Sequence, residues 1–157
     1  MPAPSRNAER HIQEAFANYR RYERSLTVPD DIAWASVFLF YSAIHLVNAY
    51  KIDKDPNYGD IDDHKKCNAY VSTHLRQISN EYKTLYASSR LARYKLRQFN
   101  ISESRKFHDE HYNRIRRFME REGFAWVTPV PIPQGDASTS TQTTEHATPT
   151  TPNPAST

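Results

Sequence analysis

Glycine is scarce: the 157-residue chain holds three. None sits in a G-x-G-x-x-G or G-x-x-x-x-G-K-[ST] arrangement, so a Rossmann fingerprint and a phosphate-cradling P-loop are excluded. Cysteine is scarcer still, with Cys67 alone. One thiol excludes an internal disulfide framework and a cysteine-based zinc site. The opening residues, MPAPSRNAER, lack the apolar run of a secretion signal. A reducing, cytoplasmic setting is the expectation. From Val127 to Thr157 there is no Lys or Arg, six of the ten prolines fall there, and Ser and Thr repeat (ASTSTQTTEHATPTTPNPAST). Such a segment buries too little apolar surface to offset its ordering entropy, so residues 127–157 are expected to form a disordered tail.

What remains is basic and aromatic. Residues 1–126 carry 21 basic against 16 acidic residues, a net +5, together with all 19 aromatic residues. That length suits one domain with one core.

Helical periodicity dominates this part. Ile12, Ala15, Phe16, Tyr19, Tyr22 and Leu26 recur at three and four residues, predicting an amphipathic helix over about 7–26. After Pro29, Asp30 or Asp31 is placed to cap a second helix over about 31–52. That helix is apolar all round (IAWASVFLFYSAIHLVNAY) and would be long enough to cross a bilayer. Its Ser36, Ser42, His45 and Asn48, and amphipathic neighbours that need an apolar partner, favour the buried centre of a bundle, with no membrane partner.

Asp62 or Asp63 can cap a third helix, about 63–88, with Cys67, Val71, Leu75, Ile78, Tyr82 and Leu85 inward. Ser88-Ser89-Arg90 reads as a break, followed by a short segment, Leu91 to Phe99. Ser102 or Ser104 can cap a last helix with the stripe Phe107, His111, Ile115, Phe118, ended by Gly123. The expected fold is all-α: an up-and-down bundle of four main helices plus a short fifth, spanning 7–122.

Metal sites are poorly supplied. Asp53-x-Asp55-x-Asn57 begins like a calcium loop, but Tyr58 stands where glycine is required and His64 where a bidentate glutamate should be. His108 and His111 form an H-x-x-H pair with no third ligand in view. His45, inside the most apolar helix, reads first as a core imidazole bonded to a neighbour. The basic residues are concentrated late: from Arg76 to Arg117 there are eleven Lys and Arg against four acids, interleaved with Tyr82, Tyr86, Tyr94, Phe99 and Tyr112. Phosphate neutralisation combined with aromatic stacking is what a single-stranded nucleic-acid surface uses. Arg90, Arg93, Lys95, Arg97, Lys106, Arg114 and Arg117 are the candidate RNA contacts.

One order of residues carries a resemblance. It runs Asp31-x-x-Trp34-Ala35, Phe40-Tyr41-Ser42-Ala43-Ile44-His45, Ala49-Tyr50, then His64, Tyr82-x-x-Leu85 and Ser88-Ser89-Arg90-x-Ala92-Arg93-Tyr94. Over about residues 8–121 this resembles a small prokaryotic HEPN-domain protein. The H-x-x-R that similar proteins tend to carry at the third helix reads His64-Lys65-Lys66-Cys67 here.

The resemblance implies a helical bundle that dimerises and two classes of function. One is a metal-independent endoribonuclease of defence or toxin type that leaves 2′,3′-cyclic phosphate ends and uses no cofactor. The other is a non-catalytic module that binds RNA, a partner protein or an antitoxin. The family's signature is Arg, four to six residues, then His; Arg105-KFHDE-His111 fits it, with Tyr112 next. On that match Arg105 would stabilise phosphate charge and His111 would serve as acid or base, with His45, His64 and Tyr112 as second candidates. An uninterrupted α-helix turns about 600° over six residues, setting the Arg105 and His111 side chains about 120° apart. A homodimer is also the expectation from ten tyrosines, more than one small core can hold.

Overall fold

A computed structural model describes residues 5–55, 63–95 and 97–122. The expected tail at 127–157 and the helix end at Gly123 lie outside these residues. Every regular element among the described residues is helical.

Helix α1 (Arg6–Ser25) is capped by Ser5, whose hydroxyl accepts from the Ala8 amide. It lies antiparallel on α2 (Ala35–Lys54): His11 meets His45, and Ser42 donates to the Ala15 carbonyl at 2.7 Å. Helix α2 is the centre. Leu39, Phe40, Ala43, Val47 and Ala49 are fully buried. The stretch Pro29–Lys54 is long and apolar enough to cross a membrane, and 67% of its most apolar window is covered by the rest of the bundle. Its start differs from expectation. Pro29–Trp34 forms a 3₁₀ turn, and neither Asp30 nor Asp31 caps α2, which begins only at Ala35. Proline at the first position and the Asp31 amide on the Val28 carbonyl tighten that turn.

The expected third helix is two helices. Asp63 caps α3 (His64–His74) by accepting from the Lys65 amide. The chain then kinks through Leu75 and a 3₁₀ turn, Arg76–Ile78, into α4 (Ser79–Tyr94). No Gly or Pro marks this break. At the end of α3 the Thr73 hydroxyl bonds back to the Ala69 and Tyr70 carbonyls and to His74, but Thr84 makes the same back-bond to Asn80 inside unbroken α4, so this bonding alone does not account for the kink. The expected break at Ser88-Ser89 is absent. Both serines are buried and satisfy their hydroxyls on the Leu85 and Tyr86 carbonyls, so α4 runs on to Tyr94.

The last helical run has three parts without interruption: α5 (Ile101–Lys106), a π-helical stretch (Phe107–Tyr112) and α6 (Asn113–Arg121). Its cap is Asn100, not Ser102 or Ser104. Asn100 accepts from the Glu103 amide while Glu103 accepts from the Asn100 amide, a reciprocal capping box. Asn100→Ala should therefore cost about 1 kcal/mol, read from the denaturant midpoint at unchanged slope. A cost near zero would mean the box does not hold this helix start.

The π stretch changes which residues face inward. Ring closure at i+5 adds a residue to one turn. The buried stripe becomes Ser104, Tyr112, Ile115, Phe118 and Met119, while Phe107 and His111 are only half-buried. Tyr112 thus takes the core position expected of His111. The run lies parallel to α2, with Tyr112 on Ser42 and Phe118 and Glu122 on Tyr50.

Candidate functional site

Tyr41, His64, Arg93 and Tyr94 meet at one place. Arg93, near the end of α4, donates from Nε to the Ser89 carbonyl and from one terminal nitrogen to the Ser89 hydroxyl; its other terminal nitrogen donates to the Tyr41 hydroxyl at 3.0 Å. These fix three of the five N–H groups a guanidinium carries and leave one on each terminal nitrogen, the fork that grips a phosphate. The guanidinium also lies over the Tyr41 and Tyr94 rings, at 5.5 and 5.2 Å. His64, at the start of α3, sits among Phe40, Tyr41 and Tyr86, with ring centroids 5.7, 6.1 and 6.4 Å away. Arg90 covers the outer side of Tyr86 at 5.8 Å. Tyr94 is 68% exposed beside them.

Burial holds the His64 imidazole below its ordinary value, and the Arg93 charge adds to this. Its Nδ1 is sealed from solvent without a hydrogen-bond partner. A neutral imidazole at pH 7 beside a fixed guanidinium, on a floor of tyrosines, can take a proton next to a bound phosphate.

Arg105 and His111 are not brought together. Steps through the π stretch turn less than α-helical ones, so the six residues fall short of the α-helical rotation and the side chains move toward opposite faces. Arg105 faces α1, where its charge opposes the upward push that burial gives the Tyr22 phenol. His111 faces α4: burial lowers its pKa, Glu110 and Glu81 oppose that, and Arg114 and Lys106 reinforce it. Tyr112 is fully buried and bonded to Ser42 at 2.8 Å, a core tie with no access for substrate. His45 is hydrogen-bonded to His11, Nδ1 to Nδ1 at 2.9 Å, between α1 and α2.

The basic candidates divide. Arg97 is engaged by Glu103 at 3.2 Å and lies over Phe99, and Arg114 is held by Glu81 at 3.1 Å. Lys95, Lys106 and Arg117 are exposed. His108 and His111 also part company. His108 is hydrogen-bonded through Nδ1 to Asp109 at 2.7 Å and through Nε2 to the Tyr19 hydroxyl at 3.1 Å, a carboxylate–imidazole–phenol chain that sequence reasoning missed. Among the described residues no three His, Cys, Asp or Glu side chains are grouped to hold a metal. A concavity of about 810 Å³ between Pro29–Ala33 and Gln98–Ser102 is lined by a single carboxylate, Asp30, and by no His, Lys or Arg.

Both depressed imidazoles set a pH dependence. The folded chain prefers neutral His64 and His111, whereas the unfolded chain protonates them near 6.5. Their contribution to stability is full above that value and is lost as the pH falls through the folded values. Urea midpoints should drop between pH 7.5 and 5, and His64→Gln should flatten the drop. An identical slope in the variant would refute the assignment.

No family model, curated protein or solved structure matches the chain.

Proposed function

We propose that this chain is an RNA-directed, HEPN-like domain whose working site is the Tyr41–His64–Arg93 cluster, and that it cleaves single-stranded RNA without a metal. The observation that carries this reading is the Arg93 guanidinium, fixed by Tyr41 and Ser89 with two N–H groups left over, beside a neutral imidazole. The bases would stack on Tyr86 and Tyr94 while Arg93 and Arg90 meet phosphates. His64 would take the 2′-hydroxyl proton. The 2′ oxygen then attacks phosphorus, the bond to the 5′ oxygen breaks, and that oxygen leaves with a proton from water. A 2′,3′-cyclic phosphate and a 5′-hydroxyl result. The antiparallel α1–α2 pair and the last run parallel to α2 fit an up-and-down HEPN-like bundle. A homodimer would bring a second copy of the cluster to the same strand, and sedimentation at micromolar concentration tests it.

Incubating the protein with mixed RNA in EDTA tests the reading. Cyclic-phosphate ends that disappear in His64→Ala, with folding retained, are the expected result. The divergence of Arg105 and His111 favours a second reading, a non-catalytic module. Salt-sensitive binding without cleavage would replace the first reading with that one. Neither binding nor cleavage would remove RNA from the account.

A further inference from the structure

At the other end of α4 from Arg93, a groove of about 320 Å³ is lined by Gln77, Ile78, Glu81, Arg114, Arg117 and Arg121. Three guanidiniums face one carboxylate. Glu81 is nearly buried, and Arg114 engages it at 3.1 Å, so that negative charge is already spent. Arg117 and Arg121 are exposed and have no ion pair among the described residues. By contrast Arg116, on another side of the same helix, is paired with Glu120 at 3.2 Å.

This spacing is unfavourable by itself. Arg114, Arg117 and Arg121 stand at three- and four-residue intervals on one face, where like charges repel. The helix dipole offsets part of that for Arg121, in the last turn, but not for Arg114, in the middle of the run. A face that accumulates uncompensated positive charge over a concavity is suited to an anion from outside. Guanidinium forks and the Gln77 amide are donors matched to phosphate oxygens.

We propose that this groove is a second phosphate-binding site, which holds the RNA backbone away from the Tyr41–His64–Arg93 cluster; this rests on the RNA reading above. Glu81 and Arg93 are twelve residues apart on α4, roughly 18 Å along its axis. A strand held at both places must extend over several nucleotides, so the substrate is an extended single strand rather than a mononucleotide.

The test is fluorescence anisotropy with a labelled single-stranded RNA over a salt series. Each phosphate contact on a single strand contributes about −0.7 to the slope of log affinity against log salt. Arg117→Gln with Arg121→Gln should make the slope shallower by about 1.4 and weaken binding about tenfold near 0.15 M salt. Arg117→Lys with Arg121→Lys should keep the slope, because the charges remain. An unchanged slope in the glutamine pair, while the wild type binds, overturns the groove and leaves the cluster standing. A wild type that binds no RNA at any salt overturns both. Inorganic phosphate that shifts the Gln77 side-chain amide signal without any slope change with RNA reduces the groove to an adventitious ion site, which also overturns it.

Discussion

Arg93→Ala is expected to lower single-turnover RNA cleavage in EDTA by about 10²–10³-fold, the loss seen when one pre-aimed donor is removed from a site of developing charge. Lysine should not rescue it. An ammonium cannot donate at once to the Tyr41 hydroxyl, the Ser89 carbonyl and the Ser89 hydroxyl while presenting a two-pronged face outward. Arg93→Lys should therefore bind RNA more nearly like the wild type than it cleaves it. Circular dichroism and a thermal midpoint establish that each variant is folded. Cleavage at the wild-type rate in folded Arg93→Ala would place the chemistry elsewhere.

Phe40→Ala should destabilise the domain by about 3–5 kcal/mol. Phe40 is fully buried on α2, and its ring meets Tyr41, His64, Tyr82 and Tyr86. The cavity would open at the point where α2, α3 and α4 meet, beneath the cluster. Phe40→Leu keeps most of the volume and should cost less than half as much. It also removes the ring that orients His64, so activity should fall further than stability. Equilibrium urea unfolding measures the first effect and cleavage rate the second. A Phe40→Ala cost near 1 kcal/mol would contradict the packing described for α2.

Apolar spacing made the helices legible. The stripe Ile12, Ala15, Tyr22 lies where the periodicity puts it, and the all-apolar run of α2 is the buried centre. What was not legible depends on side-chain to backbone bonding or on tertiary contacts. The end of α3 at His74 carries no Gly, Pro or periodicity signal: Thr73 bonds back to its own helix there, and Thr84 does the same inside unbroken α4. Ser88 and Ser89 suggest a break only if their hydroxyls compete with the helix from outside; buried, they serve it. Asn100 and Glu103 did carry a capping signature, which the two nearby serines obscured. The π stretch is the costliest miss. One added residue in a turn moved Tyr112 into the core and turned His111 away, so the site expected on Arg105 and His111 does not assemble within one chain. The cluster that does assemble was present in the sequence as separated pieces, Phe40-Tyr41, His64 and Ala92-Arg93-Tyr94. Their order was visible, but their meeting required the angle between α3 and α4, set at the turn through Leu75 and Arg76–Ile78.

Adding a short single-stranded RNA to isotope-labelled protein tests directly whether RNA engages the Tyr41–His64–Arg93 cluster. The Arg93 Nε–H and the His64 ring signals should move first and saturate together, with the His64 pKa rising as phosphate approaches. Signals that stay fixed at Arg93 and His64, while those of Arg105 and His111 move, would contradict it.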